Sequence, residues 1–223
     1  MKLAAATFAR IAQMSLENAG RNQEHVRAEI SLARLPWPRG ARVLVVANGP
    51  GVTANLPVIA DSTWAGEIVA VDGALARCLH HGFRPDLIVS ADSHERIAHW
   101  FGAAPDDYFA RIGETGRTSE DISGQHVAIA TASHPKTVDA LRAARAIPWW
   151  FHAMLDDPTK PGSLTRLMYD ACPLPVVNGG GNVGTAAWVI AHSSLGAKEI
   201  GRVGFDFGYP PGFPGERTQY APE

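Results

Sequence analysis

The sequence predicts an α/β domain: a doubly wound, mostly parallel sheet with helices on both faces, preceded by a short helical lead-in. Three observations carry that expectation. Short apolar runs rich in β-branched residues recur along the chain, as strands buried on both faces require. Between them lie stretches of helical length, and this alternation is the mark of right-handed β–α–β crossovers. The apolar runs also end on Gly, Asn, Asp or Ser, residues suited to turning a strand into the start of a helix.

The elements follow in order. Residues 1–40 are the expected lead-in and linker, and residues 41–223 the α/β domain. Phe8, Ile11, Leu16, Val26, Ile30, Leu32 and Leu35 recur at helical spacings, with Gly20 between two short helices. Pro36-Trp37-Pro38-Arg39-Gly40 ends them. Arg42–Ala47 (RVLVVA) is the first strand, Asn48-Gly49-Pro50-Gly51 a tight turn, and a helix begins at Thr53 or Asn55. Glu67–Val71 is the second strand, ending on Asp72-Gly73 before a helix over Ala74–His81 that Gly82 stops. Asp86–Ser90 is the third, ending on Ala91-Asp92-Ser93. His126–Ala130 is the fourth, followed by Thr131-Ala132-Ser133-His134 and a helix that Pro135 opens. Ile147–Phe151 and Leu174–Val177 are the fifth and sixth. Asn178-Gly179-Gly180-Gly181-Asn182 then leads into a helix over Val183–Ser194, and Glu199–Val203 ends on Gly204-Phe205-Asp206. The polar stretch 102–124 reads as a surface excursion. The tail 209–223 carries no periodicity, so the domain is expected to be incomplete at that end or ordered by a partner.

Composition narrows the function. Of 223 residues, 46% are hydrophobic and 19% charged, as in a globular protein with a substantial core. A formal net charge of -2 supplies no basic field, which argues against nucleic acid as the main ligand. Cys78 and Cys172 stand apart with no CxxC, so buried reduced thiols are expected rather than a metal or redox site. Arg10 interrupts the N-terminal apolar run, so a surface helix is expected in place of a signal peptide. With no segment near ~20 apolar residues, a cytoplasmic protein without a membrane partner is expected, a homo-oligomer being compatible with the sequence.

In an open parallel sheet, ligands bind beyond the carboxyl ends of the strands, where helix N-termini point inward. That rule gathers Asn48–Gly51, Asp72-Gly73, Asp92-Ser93, Ser133-His134, Asn178–Asn182 and Asp206 to one edge. Gly179, Gly180 and Gly181 allow backbone N–H groups to face an anion without Cβ obstruction, which suits a phosphate. Asn48, Gly49, Pro50 and Gly51 follow the same logic, with Asn48 able to hydrogen-bond a base or ribose. Both segments also suit plain tight turns, and neither is a Walker motif or a GxGxxG. Asp72, Asp92 and Asp206 each end a strand. Asp72 is expected as a helix cap; Asp92 and Asp206 are the better pair for Mg2+ and for catalysis, since Mg2+ prefers carboxylate and phosphate oxygens. His134, and His152 after the fifth strand, are the candidate general bases. Ser93 and Ser133 lack a GxSxG setting, which argues against a hydrolase nucleophile.

Three stretches carry a family resemblance: VVANGPGV, AVDGALARCLHHGFRPDLIVSADS, and NGGGNVGTAAWVIAHSSLGAKEIGRVGFDFGY. Together, over roughly residues 40–209, they resemble the family of the archaeal 6-hydroxymethylpterin diphosphokinase MptE, which includes the bacterial motility accessory factors. The resemblance implies a transferase with a nucleotide-activated donor. In one branch Mg2+-ATP gives its diphosphate to a pterin hydroxymethyl group. In the other, a CMP-activated nonulosonic acid is passed to flagellin, and the NGPG turn is also similar to the opening loop of bacterial sialyltransferases. The diphosphokinases carry Asp-x-Asp after the third strand, whereas this chain has Ala91 beside a single Asp92; its Gly204-Phe205-Asp206-Phe207-Gly208 ending is closer to the diphosphokinases. Its Ser-Ala-Asp-Ser and GGGNVGTA stretches are closer to the glycosyltransferase-like branch. By family name the default expectation is the diphosphokinase-like kinase, binding ATP through Asn48–Gly51, Asp72 and Asn178–Asn182, with Mg2+ on Asp92 and Asp206. The CMP-sugar glycosyltransferase and a non-catalytic nucleotide-binding module are the alternatives. The acceptor, pterin-like or a sugar or protein, is left open.

Overall fold

The computed structural model describes residues 2–37, 40–62, 64–102 and 122–208, with side chains from residue 11 onward. The expected excursion over 102–124 and the tail over 209–223 lie almost wholly outside the described residues.

The chain opens with α1 (Lys2–Arg21), α2 (Gln23–Ala28) and a two-residue strand β1 (Ile30–Ser31). There follow β2 (Arg42–Val46), α3 (Val52–Asp61), β3 (Glu67–Val71), α4 (Asp72–His80) and β4 (Leu87–Ser90). A 3-10 segment (Glu95–Phe101), β5 (His126–Ala130), α5 (Pro135–Ala143) and β6 (Ile147–Ala153) come next. The described chain closes with α6 (Leu164–Ala171), β7 (Val176–Val177), α7 (Val183–Val189), a π-helical turn (Ile190–Ser194) and β8 (Glu199–Val203).

Every strand pairing is parallel, in the order β1-β6-β5-β4-β3-β2-β8. β7 continues the same edge as β1, pairing with His152 and Ala153 of β6. The central strands are short continuous apolar runs because both faces are covered. Val43, Val45, Val46, Val69, Ala70, Leu87, Ile88, Val89, Val127 and Ile129 are all completely buried, each large one adding about 2 kcal/mol. On one face α3, α4, the 3-10 segment and α5 follow one another in contact. α7 packs over β2, β3 and β4 on its way back to β8, and the right-handed rule for that reversed crossing puts it on the other face.

The lead-in is helical as expected, but its end is part of the sheet. Ile30 and Ser31 lie opposite Trp149 and Trp150, so residues 1–40 do not stand apart from the domain. A two-residue strand is too short for any periodicity to announce it. β6 also runs two residues further than expected and β7 is shorter. Cys78 is buried and Cys172 partly so, both free; burial pushes the Cys78 thiol up to about 12. Among the described residues no helix is long and apolar enough to cross a membrane.

Candidate functional site

The strand order reverses at β2. From β2 the chain steps through β3, β4, β5 and β6 in one direction, and β8 returns to the opposite side of β2. The crevice at such a switch point is where doubly wound sheets bind ligands. Here the turns after β2 and β8 are tied together. Gly49 donates its N–H to Gly204 O at 2.9 Å, and Gly51 donates to Asp206 Oδ2 at 3.0 Å. Asp206 thus faces the start of α3, and its carboxylate occupies a position an anion would otherwise take. A Cβ on Gly51 would stand 2.6 Å from Asp206 Oδ1, so the glycines are there to let the two turns close. They are not an open phosphate cradle.

On the other side of β2, the Asn48 amide lies against Gly73 at the start of α4. Its Nδ2 is 2.5 Å from where a Gly73 Cβ would be. Asn48 Oδ1 is buried with no hydrogen-bond partner. An orphaned acceptor costs about 1–3 kcal/mol, and a ligand donor at this place would remove that cost.

Asp72 is not the expected cap. It is the first residue of α4, with Val71 in the capping position, and it is 4% exposed. Its Oδ1 accepts from Gly73 N at 2.7 Å and its Oδ2 from Ser90 Oγ at 2.8 Å. Burial first, and then the nearby negative charge of Asp92, push its carboxyl up to about 7 against the pull of those two hydrogen bonds. Asp92 is half-buried, with Oδ1 accepting from His94 N at 2.9 Å. Ser90 was not among the expected site residues; as the last residue of an apolar strand it gave no sign of a partner 18 positions away.

The glycine loop reaches the same place from the other face. Gly180 and Gly181 have φ of 56° and 88°, a left-handed pair that side chains resist. Asn178 Oδ1 accepts from Gly180 N at 3.1 Å. Asn182 caps α7 through Thr185 N at 2.8 Å, and Gly184 fits close to Ala47 and Phe205. The start of α7 is therefore beside the end of β2, and Gly179 packs against Ala186. The two glycine segments, distant in sequence, meet at the switch point.

The histidines divide. His152 is 3% exposed and fully engaged. Its Nε2 donates to Cys172 O and its Nδ1 accepts from Thr131 Oγ1, both at 2.8 Å. Burial lowers its affinity for a proton. It is a structural residue and not a candidate base. His134 is half-buried and caps α5, its Nδ1 accepting from Lys136 N at 3.2 Å. Burial lowers its pKa as well. With Nδ1 occupied, the neutral ring carries its proton on Nε2, so it enters the site as a hydrogen-bond donor; it would have to release α5 to act as a base.

The expected Mg2+ pair follows strands that are not neighbours in the sheet. Asp92 follows β4 and Asp206 follows β8, with β2 and β3 between them. The strands they follow are three spacings of ~4.8 Å, or roughly 14 Å, apart, whereas one Mg2+ takes its ligand oxygens at about 2.0–2.1 Å. Asp206 is turned to Gly51, and both Asp72 oxygens are already bonded. Among the described residues there is no group of three or more His, Cys, Asp or Glu placed to hold a metal.

This arrangement can be set beside known proteins. No protein of curated function matches the chain by sequence. Among solved structures it is similar to the Maf glycosyltransferase of Magnetospirillum magneticum AMB-1, with 15% identity and a TM-score of 0.54. That match covers 80% of this chain and 25% of the other, so the chain spans about a quarter of that protein's length, and what the two share is the fold. The family model described as 6-hydroxymethylpterin diphosphokinase MptE-like matches residues 15–212, taking in the switch-point turns and Asp206 alike. A sheet that reverses at β2, closed by an NGPG turn against a GFDFG ending, is thus one instance of a wider pattern: the chain belongs to the 6-hydroxymethylpterin diphosphokinase MptE-like family.

Proposed function

We propose that the chain is a transferase that binds a nucleotide-activated donor at the β2 switch point and moves the activated group without a metal held between Asp92 and Asp206. Among donors this favours a CMP-sugar, with glycosyl transfer as the reaction. The observation that carries it is the separation of those two aspartates by β2 and β3. The glycosyltransferase neighbour supports the same reading.

In this reading Asn48 Oδ1 accepts a hydrogen bond from the base or ribose. The start of α7, with Gly180 and Gly181, offers backbone N–H groups to the leaving phosphate. Asp92 keeps one carboxylate oxygen beyond its bond to His94 N and serves as base for the acceptor hydroxyl. His134 donates from Nε2. Asp206 holds the two turns together and touches no reacting atom.

A second reading, diphosphate transfer from Mg2+-ATP, is favoured by the description of the family model and by Asp92 lying close enough to Asp72 to raise its pKa. Thermal-shift titrations with CMP, CDP, UDP and ATP, each with Mg2+ or EDTA, separate the two. Stabilisation by CMP or CDP that EDTA leaves unchanged supports sugar transfer. Mg2+-dependent stabilisation by ATP together with AMP release replaces it by the second reading. Flat responses throughout overturn the nucleotide site.

A further inference from the structure

Two turns of this chain match each other. Ser93-His94-Glu95-Arg96 follows β4, and Ser133-His134-Pro135-Lys136 follows β5. In each, a buried serine precedes a histidine whose Nδ1 accepts the N–H two residues on: Arg96 N at 3.1 Å and Lys136 N at 3.2 Å. A ring nitrogen that accepts carries no proton, so both neutral rings hold theirs on Nε2. Ser90 lies opposite Ile129 in adjacent parallel strands, which sets the turns side by side. Lys136 Nζ and Glu95 Oε2, 2.7 Å apart, join one to the other.

What fixes the two turns is the end of α1 and the residue that joins it to α2. Asn18 Nδ2 donates to Ser93 O at 3.0 Å and to Ala132 O at 3.1 Å, bridging both turns. One helical turn later, Asn22 Nδ2 donates to Thr131 O at 3.0 Å and Ser133 O at 2.8 Å, both in the second turn. The asparagines are 2% and 1% exposed, so water does not compete for these bonds. Asparagine is a poor helix former, and Asn18 inside α1 is explained by the carbonyls it meets; Asn22, between α1 and α2, makes no capping bond with its side chain and turns it to the second turn instead.

We propose that Asn18 and Asn22 are positioning residues of the site: they clamp the two Ser-His turns so that His94 and His134 keep the same tautomer, each with its proton on Nε2. The use of those donors on a bound substrate rests on the transferase reading above; the clamp itself does not.

The test is long-range 1H–15N spectroscopy of the histidine-labelled full chain at pH 8, with His94→Gln and His134→Gln to assign the signals. Both rings should show an unprotonated Nδ1 and a protonated Nε2. Asn22→Ala should abolish that single-tautomer pattern for His134 and leave His94 unchanged, because Asn22 reaches one turn. Asn18→Ala should disturb both rings. Disturbance of both rings or of neither by Asn22→Ala, or a protonated Nδ1 in the unsubstituted chain, overturns the clamp. If Asn18→Ala does not fold, Asn22→Ala alone decides. With a nucleotide donor that turns over, either variant should lower kcat roughly tenfold to hundredfold at unchanged donor KM. An intact ring pattern without turnover of any donor supports the clamp and counts against the transferase reading.

Discussion

Gly51 gives its backbone N–H to Asp206 Oδ2 across 155 residues of sequence, at 3.0 Å. That bond joins the end of β2 to the end of β8 at the point where the strand order reverses. It makes Asp206 a closing residue and leaves the nucleotide reading to Asn48 and the start of α7.

The closure predicts an asymmetric pair of rescues. Gly51→Ala should destabilise the protein, since the new Cβ would meet Asp206 Oδ1 at 2.6 Å and no other group as close. Adding Asp206→Ala should recover most of that loss. Gly49→Ala should not be rescued in the same way, because its Cβ would also stand 2.5 Å from the backbone carbonyl oxygen of Gly204. Asp206→Ala alone should cost about 1 kcal/mol, as for loss of a helix-terminal acceptor, and leave CMP affinity within about twofold. Urea denaturation of the parent and the five variants measures the cycles; loss of CMP binding in Asp206→Ala would return that residue to the ligand site.

Asn48→Ala should separate binding from stability. The substitution removes a buried acceptor that has no partner, so the melting temperature should stay level or rise. CMP affinity should fall about tenfold, or ~1.4 kcal/mol. Calorimetric titration beside a thermal melt gives both numbers, and a drop in melting temperature with unchanged affinity would show Asn48 to be structural.

Asp72 predicts a pH dependence of known sign. Its carboxyl rises from 3.8 in the unfolded chain to about 7 in the folded one. Between those values the unfolded state releases the proton that the folded state keeps. The group is therefore neutral to stability below about pH 4 and increasingly unfavourable as pH rises to 7. The full penalty is about 4 kcal/mol at most. Asp72→Asn can keep the bonds to Gly73 N and Ser90 Oγ without a charge. It should match the parent near pH 4 and be more stable than it at pH 8. Equal stability of the two at pH 8 would mean that Asp72 ionises freely.

His152 has the opposite sign. Burial depresses its folded pKa below the usual 6.5, so its contribution is intact above pH 6.5 and is lost as pH falls through the folded value. His152→Ala empties a position bonded to Thr131 and Cys172. A loss of about 2–4 kcal/mol in stability is expected, with kcat unchanged in the remaining folded protein. Stability curves from pH 5 to 8 should lose their acid-side slope in the variant. A large fall in kcat would restore His152 as a catalytic candidate.

Much of the fold was legible because its signals are local. RVLVV, EIVAV and HVAIA are strands in any parallel sheet, since burial on both faces selects for continuous β-branched runs. The turn residues after them placed the site edge, because a glycine or aspartate there reflects backbone geometry within a few residues. Ile30–Ser31 was not legible: two residues carry no period, and only Trp149 and Trp150 across the sheet make them a strand. Asn18 and Asn22 left a faint trace, two amides four apart at the end of the first helix.

The sequence by itself determined the alternation of strands and helices, the edge on which Asn48, Asp72, Asp92, His134, the glycine loop and Asp206 would gather, and the family. Only the tertiary structure decided which partners each of them meets there. Strand order put two strands between those that Asp92 and Asp206 follow. Burial, against the pull of the bond from Ser90, changed Asp72 from a cap into a carboxyl pushed up to about 7. Asp206 found Gly51, and His152 found Thr131 and Cys172. The reason is physical: backbone preference acts over a few residues and is written along the chain. Desolvation and hydrogen-bond partnership depend on which distant segments the sheet brings within 3 Å.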